Sequence, residues 1–239
     1  MHIFYSPDIE NNLYILDEKE SRHCIRVLRM SKGTPVRLID GKGNLYEGVI
    51  SHPDQKRCIV EIKSVIPDFE KRNYHLHIAI SQLKNQERFE WFVEKSVEIG
   101  IDEITPLICR NTEKQSVKKD RINNIITSAM KQSVKAYRPV FNDPVPFERF
   151  VERELDGTRM IAHCMGNYPR SGIREVYTAG DSAVILIGPE GDFSMDEISI
   201  ASEHGFKHVH LGNSRLRTET AGVTACCQVA FLNQRSIIP

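Results

Sequence analysis

From about residue 75 onward the chain alternates short β-branched runs with helical segments, and this alternation constrains the fold more than any other feature. His75–Ile80, Ile104–Ile108, Arg159–His163, Ala183–Ile187 and His208–Leu211 have the length and composition of strands. Arg88–Ile99 places Phe89, Phe92, Val93, Ser96 and Ile99 on one helical face and stops at Gly100. Asp120 is expected to cap a helix carrying Ile122, Ile125, Ile126, Ala129 and Met130. Pro146–Glu154 reads as a short helix with proline near its first turn. Ser194–His204 opens on a capping box formed by Ser194 and Glu197 and closes at Gly205. Thr218–Asn233 is the last helix. Strands that alternate with helices imply an α/β domain with a mainly parallel sheet.

The first 70 residues follow a different rule. Thr34–Asp40, Leu45–Ser51 and Arg57–Val65 read as strands, the first two joined by the turn Gly41-Lys42-Gly43-Asn44. A short helix is expected after Asp17, with Glu20 completing a capping pattern and Cys24, Val27 and Leu28 turned inward. Several short strands with tight turns suggest a small β-barrel. The polar stretch Pro67–Asn73 lacks either period and reads as a linker. Two domains are therefore expected, 1–70 and 74–239.

Thirty-two basic and thirty-two acidic residues balance. A chain that holds nucleic acid by bulk charge would be more basic, so RNA binding here would depend on local patches and shape. No apolar run approaches the ~20 residues of a membrane span, and the first residues do not resemble a secretory signal. The six cysteines contain no C-x-x-C pair, which disfavours a zinc site. They read as reduced thiols of a cytoplasmic protein, with Cys226 and Cys227 as small buried hydrophobes on different faces of the last helix.

Three segments carry chemistry. In the first, the apolar run Ala183–Ile187 enters Gly188-Pro189-Glu190-Gly191 and then a helix. Pro189 fits the second position of a type I turn and Gly191 the fourth. Turns at the carboxyl ends of parallel strands are where α/β sheets hold ligands, and glycines let a ligand approach the backbone. In the second, Leu211-Gly212-Asn213-Ser214-Arg215-Leu216 is an irregular loop whose backbone groups could meet an adenine ring. In the third, Arg217-Thr218-Glu219-Thr220-Ala221 opens the last helix, with Thr218 as its expected N-cap and Glu219 complementing the dipole. Taken alone, each also fits an ordinary turn, loop or cap. Together they place an arginine, a carboxylate and two hydroxyls at a helix N-terminus directly after a candidate ligand loop, a setting suited to anions. No G-x-G-x-x-G opens a helix after a strand, and there is no Walker A, G-x-S-x-G or metal-spaced cluster.

Ile187-Gly188-Pro189-Glu190-Gly191-Asp192-Phe193-Ser194, then Leu211-Gly212, then Leu216-Arg217-Thr218-Glu219-Thr220-Ala221 resemble, in that order, the RsmE family. These are the small-subunit ribosomal RNA uracil-N3 methyltransferases of the SPOUT class. His23–Arg29 with Gly33 and Asp40–Gly43 resembles the family's N-terminal RNA-binding domain. Glu94–Ile101 with Ile104–Leu107 resembles its first SPOUT helix and strand. Asp192 stands where the family usually has a second glycine.

The resemblance implies a PUA-like β-barrel followed by a SPOUT α/β domain with a trefoil knot, a homodimer, and S-adenosylmethionine as cofactor. It implies 16S rRNA of the small ribosomal subunit as substrate, with no metal. The cofactor residues it implies are Ile187, Gly188, Pro189, Glu190, Gly191, Leu211, Gly212, Asn213, Leu216, Arg217, Thr218, Thr220 and Ala221. Catalysis would fall to Arg217, holding the uracil oxygens or a flanking phosphate, and to Glu219, taking the N3 proton or orienting Arg217 or a water. RNA contacts are expected from Arg22, His23, Arg26, Arg29 and Lys32, and from Lys114, Lys118, Lys119 and Arg121, with Lys131, Lys135 and Arg138 closing the same helix. Any one of these clusters also fits a solvated face. A SPOUT enzyme acting on a ribose 2′-hydroxyl, or a non-catalytic RNA-binding assembly factor, would share parts of this pattern.

Overall fold

The computed structural model describes residues 2–113, 117–166 and 168–234. The chain divides into two compact units: Met1–Lys71 with Thr127–Arg138, and Arg72–Ile126 with Pro139–Pro239.

The first unit contains β1 (Ile3–Tyr5), β2 (Leu13–Ile15), α1 (Glu18–Arg22), β3 (Pro35–Ile39), β4 (Leu45–His52) and β5 (Ile59–Ile66). Its five strands form one sheet in the order β1-β3-β4-β5-β2. The path is open among the described residues, with β1 and β2 at its edges, so the expected small barrel takes the form of a curled half-barrel. Register shifts between β4 and β5 at Glu47/Gly48 and Ile50/His52 supply the curl, because a bulge bends the strand that carries it. Phe4, Leu16, Cys24, Val36, Leu38, Ile50, Cys58 and Val60 fill the inner face. Asp40 shapes the β3–β4 hairpin by accepting from the amides of Lys42 (2.7 Å) and Asn44 (3.1 Å).

Asp17 caps α1, its side chain accepting from the Glu20 amide at 2.7 Å. The helix then widens into a π-helical turn over His23–Val27, closed by the Leu28 amide on the His23 carbonyl at 2.9 Å. The wider turn corrects one expectation. Cys24 is buried and Leu28 packs on the core, but Val27 is 63% exposed, because the π turn breaks the 3.6-residue phase that would have carried it inward. Thr127–Arg138 joins this unit through Tyr137, which bridges Gly41 and Lys42 and donates its hydroxyl to Asp68 at 2.6 Å.

The second unit contains β6 (Leu76–Ser81), α2 (Gln86–Ile99), β7 (Glu103–Ile108), α3 (Lys119–Ser133, whose later turns belong to the first unit), β8 (Val140–Phe141), β9 (Val145–Pro146), α4 (Phe147–Val151), β10 (Thr158–Ala162), β11 (Ser171–Gly172), α5 (Ile173–Val176), β12 (Ala183–Ile187), α6 (Met195–Glu203), β13 (Lys207–His210) and α7 (Thr218–Leu232). The strands form an eight-stranded sheet in the order β11-β13-β10-β12-β6-β7-β8, with β9 beside β7, and every pairing is parallel. Ala79, Ile161, Val184 and Leu186 pack on one face against Phe147 and Phe150 of α4 and Ile198 and Ala201 of α6. The other face carries α2 and α7, where Gly222 lies against Phe92 and Ile80, and Cys226 meets Ser96 at 3.5 Å. β12 is buried at every residue, which matches its unbroken apolar sequence.

Two further expectations change. Asp120 lies inside the first turn of α3 rather than at its cap, since the helix begins at Lys119 and the Lys118 carbonyl accepts from the Ile122 amide at 3.2 Å. Cys226 is buried as expected, but Cys227 is exposed, because adjacent residues on a helix lie about 100° apart and only one can face α2. Among the described residues no helix is long and apolar enough to cross a membrane.

Candidate active site

β10, β12 and β13 run parallel and adjacent, so their carboxyl ends emerge on one edge of the sheet. A cleft of about 350 Å³ opens there, within the size range of small-molecule sites. One wall is the segment after β12, Ile187 to Asp192. A second is the segment after β13, formed by Leu211, Gly212, Ser214, Arg215 and Leu216. A third follows β10 and includes His163, Cys164 and Arg170. Arg217, Thr218 and Ala221 close one end from α7, and Arg88 reaches the cleft from α2.

The turn after β12 is shifted by one residue from its expected register. The Asp192 amide donates to the Pro189 carbonyl at 3.0 Å, so the turn spans Pro189–Asp192. Gly191 takes its third position with φ +97°, a conformation that type II turns require and glycine adopts without strain. At Gly191 and at Gly212, where φ is +132°, a side-chain carbon would meet no atom within 4 Å. Both bends therefore present open backbone. A ligand can thus approach the main chain closely at both bends.

Both bends are tied to α7. Thr218 does not cap the helix as expected. Arg217 occupies the N-cap position without a side-chain cap bond, and the buried Thr218 hydroxyl donates to the Gly188 carbonyl at 3.0 Å. Gln228, one face further along α7, donates to the Leu211 carbonyl at 3.1 Å. Arg217 is exposed at the positive end of a 15-residue helix, a setting that favours anions.

Glu219 is only 6% exposed and does not line the cleft. Its Oε1 lies 3.8 Å from Arg88 Nε, and its Oε2 is buried without a hydrogen-bond partner among the described residues. Arg88 also meets Glu190 of the turn after β12 at 3.3 Å. This geometry fits a carboxylate that orients a guanidinium better than one that reaches a base. Of the thirteen cofactor residues expected from the resemblance, eleven line the cleft, while Asn213 and Thr220 do not. Sequence reasoning missed Arg88 on α2 and His163, Cys164 and Arg170 in the segment after β10, and it read Asp192 only as a departure from the motif after β12.

The third wall contains a packed imidazole pair. His163 Nε2 and His208 Nδ1 are 2.8 Å apart, Tyr168 stacks on His208, and Ser202 meets His208 Nε2 at 2.8 Å. Burial, with His208 adding to it, pushes His163 down to about 4, so it is neutral at physiological pH.

In the first unit Arg22, His23, Arg26, Arg29 and Lys32 are all exposed, and Arg22 is paired with Glu18 at 2.9 Å. In the second unit Lys118, Lys119 and Arg121 are exposed, with Lys119 paired to Asp143 at 2.8 Å and Arg121 forked onto Glu90. Lys114 lies outside the described residues. Lys131 is held by Glu20 at 2.5 Å, Lys135 faces Glu70 at 3.7 Å, and Arg138 stacks over Tyr5. These last three serve the internal packing of the first unit.

The family model for the RNA methyltransferase domain matches residues 70–230, and that for the RNA methyltransferase PUA domain matches residues 16–63. The chain belongs to the RNA methyltransferase family. A probable rRNA-methyltransferase from Porphyromonas gingivalis has a crystal structure that matches this RNA methyltransferase with a TM-score of 0.91 and 39% identity, over 98% of both chains. The ribosomal RNA small subunit methyltransferase E of Neisseria gonorrhoeae, solved bound to S-adenosylmethionine, matches with a TM-score of 0.84 and 27% identity over 97% of this chain and 98% of that one. The Aquifex aeolicus protein of the same name is 29% identical over 230 residues, 94% of this chain and 96% of its own.

Proposed function

We propose that this RNA methyltransferase uses S-adenosylmethionine to methylate N3 of a uridine in 16S rRNA of the small ribosomal subunit. The observation that carries the reading is the cleft at the carboxyl ends of β10, β12 and β13. Two open glycine bends face it, and an arginine at a helix N-terminus borders it. The relatives named as small-subunit rRNA methyltransferases and the neighbour solved with the cofactor bound support the same assignment.

The cofactor, when bound, supplies an electrophilic methyl group on a sulfonium. The chain does the rest. Gly188, Gly191, Leu211, Gly212 and Leu216 hold the adenosine part, mostly through backbone groups, and Thr218 fixes the Gly188 bend by its hydroxyl. Uracil N3 carries a proton, so its lone pair becomes available only as that proton leaves and negative charge grows on the ring. Arg217 stabilises this charge at the uracil oxygens or steadies the adjoining phosphate. Glu219 acts through orientation, holding Arg88, or through a water that carries the proton away.

Residues 1–70, joined by Thr127–Arg138, serve as the RNA-reading domain, and the rest of 74–239 as the catalytic domain. Arg22, His23, Arg26, Arg29 and Lys32 on the first, and Lys118, Lys119 and Arg121 on the second, contact RNA phosphates. The enzyme works as a homodimer. This is supported by the last turns of α7, which leave Phe231 70% exposed and Cys227 exposed. The C-terminal chain passes through a loop to form a trefoil knot, a reading that rests on the family resemblance. Its substrate places the enzyme in the cytoplasm.

The test is methylation in vitro of small subunits from a strain lacking the enzyme, followed by digestion to nucleosides and mapping of the product. 3-Methyluridine at one position supports the reading. A ribose-methylated product, or none with the wild-type chain, overturns it.

A further inference from the structure

Asp192 is the point at which three loops of the sheet's carboxyl edge meet. Its φ is +76°, a conformation disfavoured for residues with a side chain, although aspartate tolerates it better than most. Its amide closes the turn on the Pro189 carbonyl at 3.0 Å. Its Oδ1 accepts from the Phe193 amide at 2.8 Å. Two further bonds leave the turn. Oδ2 accepts from the Cys164 amide, just beyond β10, at 2.7 Å, and the Asp192 carbonyl accepts from Asn111 Nδ2, beyond β7, at 3.1 Å. A strand-to-helix turn needs neither of these cross-loop bonds. Arg170 extends the tie by donating to the His163 carbonyl at 2.6 Å. His163, Cys164, Arg170 and Asp192 all line the cleft.

We propose that Asp192 is a positioning residue for the cofactor: its carboxylate clasps the loop after β10 onto the loop after β12 and so presets the third wall of the cleft. The proposal rests on the reading of this cleft as the S-adenosylmethionine site. Its physical content is preorganisation. A wall held in place before binding need not be ordered by the ligand, so the ligand binds more tightly. The Cys164 bond is charge-assisted, and such bonds are stronger than neutral ones. A glycine at this position would form the turn equally well, but not the carboxylate clasp.

Asp192→Gly separates these roles. Glycine accepts the positive φ and keeps the turn's backbone bond, and only the carboxylate is lost. Asp192→Asn keeps one acceptor oxygen and tolerates the same φ. Two readouts are needed on the full chain: S-adenosylmethionine affinity by calorimetry, and the rate at which Cys164 reacts with a thiol reagent in a Cys227→Ser background. Asp192→Gly is expected to weaken cofactor binding about tenfold, with Asp192→Asn in between. The KM for the cofactor should rise by more than kcat falls. Cys164 labelling should accelerate in Asp192→Gly, and added cofactor should slow it in the wild type. If Asp192→Gly lowers the melting temperature by more than a few degrees, Asp192→Asn carries the comparison. Cofactor affinity and Cys164 labelling both unchanged in Asp192→Gly would overturn the proposal while leaving the cofactor site intact. A wild-type chain that binds no S-adenosylmethionine would remove the site reading and the proposal together.

Discussion

Arg217 and Glu219 are neighbours in sequence, yet the fold gives them opposite surroundings. Arg217 lies exposed on the cleft, and Glu219 is buried one step behind it against Arg88. Arg217→Ala should therefore lower kcat on small subunits by about a hundredfold, the scale of losing one preorganised donor to a developing anion. Cofactor affinity measured by calorimetry should change far less. Full turnover in this variant would remove Arg217 from the chemistry. The role of Thr218 could not be read locally. A threonine at a helix start looks like a cap, and only the return of the chain beside β12 gives its hydroxyl the Gly188 carbonyl instead.

At the scale of elements, α7 lies against α2 so closely that one residue must lack a side chain. A methyl group at Gly222 would stand 2.6 Å from Phe92 Cε2 and 3.0 Å from Ile80 Cδ1. Gly222→Ala gains helix propensity, but overpacking in a filled interface costs about 1–3 kcal/mol and should dominate. A fall in melting temperature is expected, and an unchanged or raised one would show that α2 yields. The π-helical turn after α1 is the element that sequence periodicity could not supply. A single extra residue in the turn leaves Cys24 inside and sends Val27 out. The two-residue strands β8, β9 and β11 escaped for a simpler reason, since two residues carry no period.

For the whole molecule, two buried imidazoles set a pH dependence. Burial pushes both His77 and His163 down to about 4, although the Glu103 carboxylate beside His77 pulls the other way. Unfolded, each titrates near 6.5, so between about 4 and 6.5 the unfolded chain binds more protons than the folded one. Stability should be flat above this window on their account and fall as pH drops through it. The urea midpoint measured from pH 7 to pH 4 checks this, and His77→Gln should make the decline shallower. RNA affinity makes a second whole-molecule test. The exposed cations Arg26, Arg29 and Lys32 make no ion pairs among the described residues, and each phosphate contact adds about 0.7–0.9 to the slope of log affinity against log salt. Replacing these three by alanine should flatten that slope by roughly 2–3 in filter binding to small subunits. An unchanged slope would take them off the RNA.

The alternation of strands and helices, the buried run into Gly188–Gly191 and the glycine-bearing loop at Leu211 were legible in the sequence because each is a local pattern of apolar period and turn chemistry. Those patterns fix secondary structure, and they also carry the family resemblance. The third wall of the cleft was not legible. His163 and Arg170 follow β10 in no motif, Arg88 stands far away in sequence on α2, and Asp192, although inside the motif after β12, carries no local sign of its partner at Cys164. Only the order of strands in the sheet brings the ends of β10, β12 and β13 together. A carboxylate at residue 192 finds an amide at residue 164 because parallel strands side by side release their loops on the same edge, a relation of space that no window along the chain contains.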